Sequence, residues 1–183
     1  MSTPTPPAET ETALARRYRL ELNTGTTTPT WSLVPGVQEF APKVEPTQQK
    51  STTYDDEGWA DSTVTELAWS IETKLAHRCH PETRVFNAAQ ERLRLASESF
   101  GAASRVHVRY YDREGRDEAY EGYALVTWEP EGGAPDDLDT VKVTLTGKGP
   151  RKKIANPLAP PAGGTLALVA EESSAAVRKK VAA

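Results

Sequence analysis

Apolar and polar residues alternate along most of this chain, and the period of two writes out strands. In ARRYRLEL, Tyr18, Leu20 and Leu22 share one face, with Arg17, Arg19 and Glu21 on the other, as in a half-buried strand. NTGTTTPT (Asn23 to Thr30) reads as a turn, and TWSLV as a short strand ended by Pro35-Gly36. Val37 to Val44 alternates around Phe40, and Pro42 confines it to a sheet edge or a bulge. From Thr63 to Ala76, Leu67, Trp69, Ile71, Thr73 and Leu75 share the core side; Glu66, Ser70, Glu72 and Lys74 take the polar one. Three more strands are expected at Ser104–Tyr111, Glu118–Glu129 and Thr140–Thr146, the first two joined by the turn DREGR.

Between them the period changes to that of a helix. Pro81 suits a first helical position and Glu82 the positive end of the dipole, with Phe86, Ala89, Leu93 and Ala96 at helical spacing. A helix is therefore expected over 81–100, with Gly101 as its stop. Glu45 to Ser62 shows no period, is acidic at its centre and carries Tyr54 and Trp59, which predicts a long contact loop, mobile before assembly. Residues 1–12, rich in Thr, Pro and Glu, read as a flexible arm, 13–157 as the folded domain and 158–183 as an extension. In that extension Thr165–Ala170 alternates like a strand with no sheet of its own. It needs a sheet edge, its own subunit's or a neighbour's; the favoured reading is an arm clamping an adjacent subunit, and the alternative is a disordered tail. The class expected is α+β, mainly β: a two-sheet sandwich or barrel with one packed helix.

Composition narrows the function. The chain has 183 residues and 26 acidic against 22 basic side chains, a net charge of −4, which argues against a nucleic-acid binder working by bulk charge. No run approaches the ~18 apolar residues of a membrane span, so no membrane insertion is expected, and the first residues lack a signal-peptide layout. The single cysteine, Cys79, excludes an intrachain disulfide framework. His77, Cys79, His80 and His107 fall short of a metal-binding pattern, and Asp55, Asp56 and Glu57 read as a solvated loop tip rather than catalytic carboxylates. No nucleophile elbow or phosphate-binding loop occurs, so neither an enzyme nor a cofactor is expected.

Four stretches carry a family resemblance: TWSLVPGVQEFAPKVEPTQQKSTTYDDEGW (Thr30–Trp59), a helix after a long strand, EGYALVTWEPEGG (Glu121–Gly133) and VKVTLTGKGPRKKIANP (Val141–Pro157). In order and spacing, the chain from about Ala13 to Pro157 resembles the major tail (tail tube) proteins of long, non-contractile-tailed bacteriophages, especially those of actinobacterial hosts. The resemblance implies a structural virion protein, assembled in the host cytoplasm. Homohexameric rings would stack into a tube that conducts double-stranded DNA without binding it specifically. Implied partners are the protein itself, a tape-measure protein, a tail terminator and baseplate or tail-tip proteins.

Geometry is compatible: ~24 strands at ~4.8 Å spacing, tilted by ~40°, close a circle roughly 45–50 Å across, wide enough for a duplex. Under this reading Glu66, Ser70, Glu72 and Lys74, with Arg105 and Arg109, are candidates to face the bore, the alternative being a solvated outer wall. Tyr54, Asp55, Asp56 and Trp59, and the basic group Lys148, Arg151, Lys152 and Lys153, are candidates for subunit or ring contacts. The other readings are a carbohydrate-binding β-sandwich module, to which the many aromatic residues point, and another virion component such as a head–tail connector.

Overall fold

A computed structural model describes residues 12–160, so the N-terminal arm and most of the C-terminal extension lie outside the described residues. Eight strands follow in chain order: β1 (Tyr18–Asn23), β2 (Trp31–Leu33), β3 (Val37–Lys50), β4 (Ser62–Ala76), β5 (Arg105–Asp112), β6 (Ala119–Pro130), β7 (Thr140–Gly147) and β8 (Lys152–Lys153). One helix, α1 (Ala88–Ser97), lies between β4 and β5.

All the pairings are antiparallel, in the order β2-β1-β5-β6-β7-β4-β3, with β8 added to β6. The two layers expected from sequence are thus two halves of one sheet. Its outermost strands, β2 and β3, are separated in the chain by Val34, Pro35 and Gly36 alone, which span at most ~14 Å. The sheet must therefore curl until its two end strands face each other across a short gap. Across the fold Tyr18 of β1 packs on Phe40 of β3, ring centroids 5.1 Å apart, and Phe40 on Tyr110 of β5 at 5.6 Å. The inward residues of β1, β4, β5 and β7 fill the space, with Ala89, Leu93 and Ala96 of α1 against them.

The buried Gln90 of α1 locks the corner. Its amide Nε2 donates to the carbonyls of Pro35 (2.9 Å) and Ala76 (3.0 Å), and its Oε1 accepts from the Arg78 backbone N–H (3.0 Å). Such a satisfied polar group ties helix, crossing and strand end together.

The helix begins later than expected. His80 Nδ1 accepts the N–H groups of Glu82 and Thr83, both at 3.3 Å, and Cys79 bridges to Phe86. Residues 80–87 are therefore a turn, and Asn87 caps α1 through the N–H groups of Ala89 (3.0 Å) and Gln90 (3.4 Å). Phe86, expected on the helix's core side, is partly exposed and stacks on the His77 ring at 4.0 Å.

The expected contact loop over 45–62 is strand in its first third, up to Lys50, and only residues 51–61 form the turn. β3 runs on to Lys50 and pairs with β4 along nearly its whole length. β7 covers β4 only from Ser70 to Ala76, so the far parts of β3 and β4 project as a two-stranded arm. Pro42 and Pro46 stand on this edge strand, where a missing N–H breaks no ladder bond and blunts the open edge.

Trp69 pins the arm's base. Its indole N–H donates to the Gly149 carbonyl at 2.8 Å. Its ring occupies the space of two absent side chains: a Cβ at Gly147 would lie 2.4 Å from the indole, and one at Gly122 2.7 Å. Gly147→Ala should lower stability by about 2–3 kcal/mol through overpacking, as measured by urea unfolding, with an unchanged m-value.

At the opposite end, Asn156 Nδ2 donates to the carbonyls of Asp112 and Arg116, both at 2.7 Å, and fastens the C-terminal segment to the β5–β6 turn. The Asp112 carboxylate, fully enclosed, accepts from the Glu114 backbone N–H (2.7 Å), Arg17 (3.0 Å) and Arg116 (3.2 Å). Burial pushes this carboxyl up, but the backbone donor and the two guanidiniums outweigh it and hold it below the usual carboxylate range.

Candidate assembly surfaces

Two surfaces carry the residues singled out in the sequence. The first is the outward face of the sheet, whose register brings distant residues into rows. Ser70 lies beside Thr146, then Leu125, then Arg105. The next row holds Glu72, Thr144 and Thr127, and the one after it Lys74, Lys142 and Glu129.

Several of the charges on this face are paired. Lys43 of β3 donates to Glu72 Oε1 at 2.6 Å, and Lys74 meets Glu131 at 2.7 Å. Each lysine's hydrogen bond and charge hold its partner's carboxyl low, and the Thr140 hydroxyl adds to the effect at Glu131. Arg109 forms a shielded pair: Nε lies 2.6 Å from Glu21 Oε2, and the guanidinium stacks 4.3 Å from the Trp31 ring. Arg105, by contrast, is exposed. Glu66 shares this outward side of β4 but stands on the arm, beyond the reach of β7. The rows thus unite Ser70, Glu72, Lys74 and Arg105 and separate Glu66 and Arg109 from them.

The second surface is the arm. Its tip, residues 51–61, is a turn closed by its own hydrogen bonds, with Ser51 Oγ donating to Asp61 (2.9 Å) and Asp56 capping Thr53. Glu57 and Gly58 take left-handed backbone angles there. Tyr54 and Trp59 are 106% and 81% exposed, so neither ring is covered by the described residues.

Below the tip runs a feature that the sequence reading missed. The core side of β4 continues past the core, and Leu67, expected inside, is 68% exposed. With Val44, Pro46 and Val64 it makes an apolar stripe along one face of the arm. A groove at its base of about 570 Å³ runs between Leu67, Trp69, Pro150 and Arg151. The available signal was length: β4 has 15 residues and its neighbour β7 has 8, so half of β4 runs on beyond the sheet that lies over the core.

The basic group of the C-terminal region is dispersed. Arg151 turns inward, donating to the Tyr110 hydroxyl and lying 4.1 Å over the Tyr120 ring. Lys152 and Lys153 form β8 against Tyr120 and Glu121, and Lys153 pairs with Asp117 at 2.6 Å. Lys148 is exposed at the end of β7. The histidines are also apart. His77 Nδ1 lies 2.8 Å from Asp139 Oδ2, and His107 stacks on Tyr123, its partial burial favouring the neutral ring. Among the described residues no three His, Cys, Asp or Glu side chains cluster to hold a metal ion.

No family model matches this chain, and no curated protein does. Solved structures do match it by shape. The tail of an empty gene transfer agent particle, refined with C6 symmetry, superposes with a TM-score of 0.63 at 9% identity, over 79% of this chain and 100% of that one. A subunit from the virion of the native gene transfer agent gives 0.59 at 10% identity, over 79% and 100%. The SPP1 tail tube gives 0.58 at 12% identity, over 79% and 81%. The chain has the fold of tail tube proteins.

Proposed function

We propose that this protein is the structural subunit of a phage-type tail tube. Homohexameric rings stack into the tube, whose bore conducts double-stranded DNA from the virion into the host. The observation that carries this reading is the arm: a pinned, two-stranded projection whose apolar side has no cover among the described residues. In a ring or stack, a neighbouring copy supplies that cover. Hexameric closure and stacking come from the likeness to a C6 tail.

The outward face of β3, β4, β7 and β6 lines the bore in this reading, four strands per subunit. Its lysines at 43 and 74 are held by carboxylates. Six copies contribute −24 by formal charge, so the wall repels phosphate instead of gripping it. The subunit is assembled in the host cytoplasm around a tape-measure protein and is capped by terminator and tail-tip proteins. A long, non-contractile tail on an actinobacterial host suits the sequence resemblance. No catalytic step is assigned.

Negative-stain microscopy of the purified protein at high concentration tests this function. Rings or hollow tubes are the expected result, and a persistent monomer that binds sugars would replace the reading with a carbohydrate-binding module. The bore has its own test. Glu72→Lys with Glu131→Lys frees the two paired lysines and adds two more cations per subunit. Tubes should still form, but they should retain duplex DNA at low salt and release it as salt rises. Retention equal to that of the unmodified protein would put this face on the outer wall.

A further inference from the structure

The curled sheet does not close. β2 pairs with β1 only at Glu21–Asn23, and Val34 adds one bond, its N–H to the Leu20 carbonyl at 3.0 Å. Alternation along β1 turns the backbone groups of Tyr18 to the same side, below the reach of β2. Opposite stands β3, whose free edge is unpaired among the described residues. Between the two edges runs a groove of about 590 Å³, closed at the Pro35–Gly36 crossing and open beside Ala15, Arg16 and Arg113. Its floor is apolar: Tyr18, Val37 and Phe40 pack on the core yet are only partly buried. The described residues roof the core incompletely along this seam.

The chain itself leaves the described structure at the open end. Pro160 lies against the β5–β6 turn, where a Cβ on Gly115 would be 3.2 Å from its Cδ, and Arg113 donates its backbone N–H to Arg17 at 2.7 Å. Five residues, up to ~17 Å of chain, lead from Pro160 to Thr165. Thr165–Ala170 has six residues, ~20 Å as a strand, against a seam about five residues long. The acidic pair Glu171–Glu172 follows, and the closed end is basic: Arg78 Nε lies 3.3 Å from where a Gly36 Cβ would stand.

We propose that Thr165–Ala170 of the same chain enters this seam as an added strand, antiparallel to β3, with Leu166 and Leu168 roofing Tyr18 and Phe40. Its backbone groups satisfy the facing edges, as in strand addition to an exposed sheet edge. Pro42 and Pro46 leave Val37–Ala41 as the stretch of β3 suited to receive it. The groove at the arm's base belongs to the assembly surface described above, and the seam assignment is independent of any tube.

Paired cysteines in the 183-residue chain test it, with Cys79→Ser as background. Ala167→Cys is combined with Glu39→Cys or with Ala41→Cys, and with Glu66→Cys on the arm as the distant control. Oxidation of dilute protein should give an intramolecular disulfide with one of the first two partners, seen as a monomer band of altered mobility. Linked dimers alone would assign the segment to another copy, and linkage no better than the control would leave the seam empty; either overturns the proposal. Because register slips can defeat a disulfide, hydrogen exchange adds a second reading. Leu166→Asp with Leu168→Asp should speed exchange of the Val37–Ala41 amides about tenfold or more, and an unchanged rate refutes the insertion.

Discussion

Replacing Val64 and Leu67 together by lysine is expected to yield a folded subunit that forms no tubes. Both side chains are well exposed on the arm, at 49% and 68%, so the isolated subunit loses little by the change. Surface substitutions of this kind shift stability by about 0.5 kcal/mol or less. In an assembly the same positions would set two uncompensated cations per copy into an apolar contact, at a cost of several kcal/mol each. Two measurements separate the effects: a thermal melt within a few degrees of the unmodified protein, and microscopy showing dispersed particles. Tubes of normal length from the double variant would remove the arm from the contact.

The second large effect concerns stability alone. Asp112→Asn should destabilise the fold by roughly 2–3 kcal/mol. This is less than the ~3–5 typical when an enclosed ion pair loses one member, because Arg17 and Arg116 keep partial access to water. The pH profile gives the signature. A carboxyl held below its unfolded value stabilises the fold fully above that value, ~3.9, and the contribution fades as pH falls through the lower folded value. Unfolding free energy should therefore drop below about pH 4 in the unmodified protein and drop less steeply in the variant. Parallel profiles would mean that the carboxylate has no such role.

The extent to which these features could be read from sequence depended on how local their causes are. β5, β6 and β7 were legible because each lies over the core for much of its length and keeps the period of two. The last six residues of β3 were not: Pro46 and Gln48 stand on their core side, with no core beneath them to select a regular apolar period. The helix start was misplaced because Pro81 follows His80 in the manner of an entry. The true cap, Asn87, competes only through bonds to Ala89 and Gln90 that a linear reading cannot weigh. Gln90 itself reads as a polar intruder, since its partners lie at Pro35, Ala76 and Arg78. The pairing of Lys43 with Glu72, 29 positions apart, and of Arg109 with Glu21, 88 apart, required the strand register. The polar face of β4 was identified correctly, but the pairing of Lys74 with Glu131 and of Glu72 with Lys43 was not visible.

The Trp69 anchor bears on mechanics. A sheet of many strands resists bending, whereas a lone pair of strands twists and flexes readily. With the indole clamped between two glycine-bearing strands, the arm would act as a compliant leaf fixed to a stiff block, with its root as the place where curvature would be absorbed. A filament joined through such leaves would bend between blocks while each block kept its shape, and its persistence length would be set by ribbon compliance rather than by the subunit core. Stiffening or loosening that root, with the contact residues untouched, then becomes a handle on how far the filament curves.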